Sequence, residues 1–90
     1  QRLAYAWALK ADGREEEAEN VFRDMDRPNT NYRQRMEYCK FLVDISKKDE
    51  LKKKLQVLLD EFDLIRGPER KLYRDLITET MDLYAVHIGK

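Results

Sequence analysis

A lone histidine, a lone cysteine, two adjacent carboxylate pairs and a run of lysines are the groups in this chain that could carry chemistry. His87 is the only imidazole and lies close to the C-terminus, with no second histidine or thiol near it in sequence. A metal site needs several converging ligands, so the plain expectation for His87 is a surface position and no metal. Cys39 would act as a nucleophile only with a general base beside it, and a single cysteine excludes an internal disulfide. The carboxylate pairs Glu15/Glu16 and Asp60/Glu61 fall on charged helix faces, where solvation is the expected role. No phosphate-cradling glycine loop, nucleophile elbow or paired-histidine zinc motif occurs in the sequence. The chain reads as a non-enzyme without catalytic residues or cofactors.

The charge balance narrows the partner class. Eighteen Lys and Arg are offset by 18 Asp and Glu. A nucleic-acid binder normally carries a basic excess, so nucleic acid is not an expected partner. The lysines Lys47, Lys48, Lys52, Lys53 and Lys54 are the densest basic group. They leave a nucleic-acid-binding helical repeat as a distant alternative, because no aromatic stands beside them for base stacking. No window reaches the roughly 18 consecutive apolar residues of a membrane-spanning helix, so membrane insertion is not expected.

With 42% apolar and 40% charged residues, three glycines and two prolines, the chain must have long elements, few turns and a charged surface. Periodicity of three and four predicts five helices. The first covers 3–11 and ends at Asp12-Gly13, where glycine supplies the positive φ that closes a helix. The second carries Ala18, Val21, Phe22 and Met25, with Glu15 to Glu17 at its start, where the dipole favours acid, and it stops before Pro28. The third covers about 32–45 and the fourth about 50–64, with Leu51, Leu55, Leu58, Leu59 and Phe62 as its apolar stripe. Gly67-Pro68 is the strongest break, and a fifth helix is expected over about 69–86. No period-two alternation persists long enough for a strand. Short connections make neighbouring helices antiparallel.

Laid on itself in one constant register, the sequence places Tyr5 on Tyr38, Ala6 on Cys39, Leu9 on Leu42, Gly13 on Ser46, Ala18 on Leu51, Phe22 on Leu55 and Met25 on Leu58. A helix pair therefore occurs twice, which is the signature of a helical repeat. Ala6, Leu9, Gly13, Ala18 and Phe22 stand in the pattern of small and aromatic residues that makes this stretch resemble a tetratricopeptide repeat. Arg2 stands where that family often has Trp, Pro28 comes early, and Leu51 replaces the second alanine of the second unit. The resemblance implies an all-α, short right-handed superhelix: repeat units 1–28 and 29–66, then a capping helix in 67–90. It also implies further repeats N-terminal to Gln1.

Function follows from the same resemblance. In that family the first helix of each unit lines a groove for a partner segment. Carried over, the groove positions are Leu3, Trp7, Lys10 and Ala11, then Arg33, Met36, Glu37, Lys40 and Asp44. Trp7 and Lys40 stand where the carboxylate-clamping subtype has asparagines, so that subtype is not expected. The implied function is a protein–protein interaction scaffold that docks another protein or peptide, and either a cytoplasmic adaptor or a bacterial periplasmic scaffold would suit it. The broad apolar face of the fifth helix gives a second reading, homo-oligomerisation.

Overall fold

The computed structural model describes residues 1–89, and among these the chain is all helical. The helices are α1 Arg2–Ala11, α2 Glu15–Met25, α3 Tyr32–Asp44, α4 Lys48–Asp63, α5 Gly67–Leu72 and α6 Arg74–His87. Lys90, the last residue of the expected capping segment, lies outside the described residues. Two compact units are present, Gln1–Phe41 and the residues from Leu42 onward, so that their boundary falls within α3. The repeat register places a boundary at 28/29 instead.

In the first unit α1 packs on α2. Ala6 and Ala18 are both fully buried. Side chains this small let two helix backbones approach closely, and no bulkier residue at either position would be accommodated without separating them. Phe22 is also fully buried, with the rings of Trp7, Tyr38 and Phe41 around it at centroid distances of 5.5, 5.7 and 4.9 Å. Edge-on and offset ring pairs of this kind each add about 1 kcal/mol beyond the area they bury. Tyr38 and Phe41 tie the greater part of α3 into this unit, which is why the division falls after Phe41 and not at the loop before α3.

Two charged side chains are interior here, and both are paired. Glu19 accepts a hydrogen bond from the Tyr38 hydroxyl at 3.2 Å and from Arg23 at 3.0 Å. Arg35 donates to Asp26 at 3.1 Å and to the Thr30 carbonyl at 3.2 Å, and lies over the Tyr32 ring. The loop between α2 and α3 needs this brace, because Asn29 and Asn31 both adopt positive φ. Asn31 adds a bond from its side-chain amide to the Met25 carbonyl at 3.2 Å.

In the second unit Leu51, Leu55, Leu58 and Phe62 form the buried stripe of α4, which packs on α6 through Leu76 and Thr80. The Thr80 hydroxyl donates to the Leu76 carbonyl at 2.7 Å. This polar residue therefore sits in the core without an orphan donor. The single helix expected over 69–86 is divided at Tyr73, which has φ −108° and ψ 12°. The physical reason is local. α5 buries no side chain and is held by Arg70, which donates to the Phe62 carbonyl at 2.6 Å, while α6 takes its direction from its own core residues.

The turns after α1 and α3 close in the same way. After α1, the Arg14 N–H bonds to the Leu9 carbonyl at 2.9 Å and the Gly13 N–H to the Lys10 carbonyl at 3.0 Å. After α3, the Lys47 N–H bonds to the Leu42 carbonyl at 3.0 Å and the Ser46 N–H to the Val43 carbonyl at 3.1 Å. Both are the paired closing bonds of a helix that ends in a left-handed residue, here Gly13 at φ 81° and Ser46 at φ 62°. Helix ends, turn and next helix start therefore correspond position by position.

Candidate interaction surface

Four of the expected contact residues form one connected cluster on the first unit. The Trp7 indole N–H donates to Glu37 Oε1 at 3.0 Å. The other oxygen of that carboxylate, Oε2, pairs with Lys40 Nζ at 3.0 Å. Lys10 Nζ lies 5.9 Å from the centre of the Trp7 ring. That separation is within the range of a cation–π contact. All four residues are partly exposed. Helical spacing explains the arrangement: Trp7 and Lys10 are three apart on α1, and Glu37 and Lys40 three apart on α3.

Trp7 is anchored as well as presented. Its ring meets Phe22 edge-on at 5.5 Å and Phe41 at 6.2 Å. The indole is thus fixed by the core beneath it and by the Glu37 carboxylate at its polar edge, with part of its surface left to solvent. Part of its role is packing against its own neighbours.

The remaining expected contacts are placed elsewhere. Met36 is 1% exposed and belongs to the core, so it offers no surface for a partner. Its position on α3 was legible as an apolar one, but which side of the helix the core would take was not. Leu3 is partly exposed and lines a shallow depression with Met25, Asn31 and Gln34. Arg33 is exposed on α3. Asp44, the last residue of α3, is exposed and lies in the second unit.

The residues first considered for chemistry are dispersed. Cys39 is fully buried, and His87 ends α6 and is partly exposed. Among the described residues no group of three His, Cys, Asp or Glu side chains is placed to hold a metal ion, and no helix is long and apolar enough to cross a membrane. At the start of α2, the hydrogen bond and charge of Arg14 hold the Glu17 carboxyl below its ordinary pKa and raise that of Arg14 in turn. Both groups are exposed, and the pair orders the helix start instead of forming a site.

Sequence reasoning missed the interior pairs Glu19–Tyr38 and Arg35–Asp26. The spacing of Glu19 and Arg23 was a readable signal for a helix-surface pair, but nothing in it announced burial. No protein-family model matches the chain, and neither a curated protein nor a solved structure is found to be similar to it.

Proposed function

We propose that this chain is a non-catalytic interaction module of tetratricopeptide-like architecture, which docks a segment of another protein on the surface formed by Trp7, Lys10, Glu37 and Lys40. The observation that carries the reading is the connected cluster itself. A tryptophan fixed by core contacts but partly open to solvent gives a partner a rigid apolar platform at little entropic cost, and tryptophan is enriched in binding hot spots. Lys10 and Lys40 flank it with ammonium groups suited to a partner's carboxylates, which set register more than affinity. Met36 drops out of the contact set, because it is buried.

The test is selection of a displayed random peptide library on the chain, with a Lys10→Glu/Lys40→Glu variant for comparison. Both substitutions are at partly exposed positions, so helical content by circular dichroism is expected to be unchanged. Peptides rich in Asp and Glu around an apolar residue, retained by the original and at least tenfold weaker on the variant, support the reading. Enriched peptides that bind both proteins equally, or no enrichment, overturn it for this surface.

Homo-oligomerisation through the C-terminal helices is favoured by a separate observation: Leu72, Met81 and Val86 are 70%, 56% and 61% exposed. Light scattering across a concentration series decides it, and a monomer mass at every concentration removes it.

A further inference from the structure

Arg70, Lys71 and Arg74 line a single cleft of about 300 Å³ between α5 and α6, together with Gly67, Ile77 and Thr78. Three cationic residues and one hydroxyl-bearing residue line it, and no carboxylate is among the lining residues. The overall charge of the chain is balanced, so the positive character is made locally. Arg70 is also held in place by its bond to the Phe62 carbonyl, and its guanidinium does not have to be immobilised by a ligand.

From this placement we infer that the α5–α6 cleft binds a phosphoryl group carrying at least two negative charges. Arginine and lysine together are the side chains suited to phosphate oxygens, arginine by its planar fork and lysine as a point charge. The size of the cleft admits a diphosphate or a single phosphorylated side chain and leaves Ile77 as an apolar wall. Asp75, Glu79 and Asp82 line the adjoining depression, which shares Lys71, Arg74 and Thr78 with the cleft. Their charge lowers the attraction of the shared cations, and what remains scales with the charge of the anion, so a doubly charged phosphoryl group is held more strongly than a carboxylate. The division of the C-terminal helix at Tyr73 creates the cleft, because one unbroken helix would carry Arg70 and Arg74 along a continuous convex surface. The cleft is built from the second unit alone and shares no residue with the Trp7 surface.

The experiment is an NMR titration of the whole chain with inorganic pyrophosphate at constant ionic strength, followed at the backbone amides. Localised shifts at residues 67–78 are expected, with a dissociation constant on the order of 1 mM, as suits a few exposed ionic contacts. Acetate at the same concentration is expected to give none. Lys71→Glu/Arg74→Glu, both at exposed positions, should weaken the pyrophosphate response at least tenfold, whereas Lys52→Glu/Lys53→Glu on α4 should leave it unchanged. A second arm uses a phosphoserine decapeptide and its unphosphorylated form. Binding of the phosphopeptide alone assigns the phosphoryl group to a modified protein, and binding of pyrophosphate alone assigns it to a free small anion. No localised shift with either, or a response equally sensitive to the α4 substitutions, overturns the inference.

Discussion

The turn after α1 and the turn after α3 close with the same pair of backbone hydrogen bonds, yet one uses Gly13 and the other Ser46 at the left-handed position. These two turns are therefore alike in backbone geometry more than in residue identity. What is common is the pattern of carbonyls that must be satisfied at a helix end. What differs is how comfortably each residue meets it: glycine does so without steric cost, and serine against its Cβ. The side chains of the two helices that lead into these turns diverge further. Tyr5 is 56% exposed whereas its counterpart Tyr38 is 1% exposed, stacked on Phe22 and bonded to Glu19.

The largest expected difference between the two units lies at their paired core positions. Phe22→Ala removes the ring at the centre of the aromatic cluster and is expected to cost about 4 kcal/mol, against about 3 kcal/mol for Leu55→Ala in the second unit. Urea denaturation of both variants checks the order, and equal losses would mean that the aromatic contacts add nothing beyond burial. Next in size is Tyr38→Phe, which deprives the interior Glu19 carboxylate of one partner and should cost about 1–2 kcal/mol, while Tyr5→Phe is expected to leave stability unchanged.

The turns themselves come third. Gly13→Ala forces a Cβ into positive φ and should destabilise by about 1 kcal/mol; Ser46→Gly relieves the same strain and should stabilise by about 1 kcal/mol. No neighbouring atom lies within 4 Å of a Cβ built at Gly13, so the loss there would report backbone conformation and not a clash. The smallest effect belongs to Glu17 and Arg14. The folded-state pKa of Glu17 is depressed by Arg14. The contribution of the pair is therefore present above the unfolded carboxylate pKa and is lost as pH falls through the native one. Arg14→Ala should raise the midpoint of the Glu17 carboxyl resonance toward the ordinary value, and an unmoved midpoint would remove Arg14 as the cause.

Sequence alone was informative where a physical requirement leaves few residue types. Ala6, Ala18 and Cys39 were legible as small buried positions, and all three are fully buried. Gly13 marked a helix end, and the repeat register transferred that end to Ser46, which no propensity would have chosen. The break at Tyr73 was not legible, since no glycine or proline marks it and the cause lies in which neighbouring side chains find a core. The interior placement of Glu19 and Arg35 was hidden for a related reason: each depends on a partner whose approach the fold decides, Tyr38 in one case and the loop carbonyl of Thr30 in the other. For the candidate surface, Trp7, Lys10, Glu37 and Lys40 were named only through the resemblance to the tetratricopeptide pattern, and their linkage through one carboxylate was not legible at all.

The burial of Cys39 supplies the molecule with an internal clock. A thiol with no exposed surface reacts with an alkylating reagent only while the surrounding helices are transiently open. As the chain holds a single cysteine, its labelling rate divided by that of a free thiol gives the fraction of time the first unit spends open. Followed against denaturant, this one reaction separates a local parting of α3 from α2, which changes little with denaturant, from unfolding of the whole unit, which changes steeply.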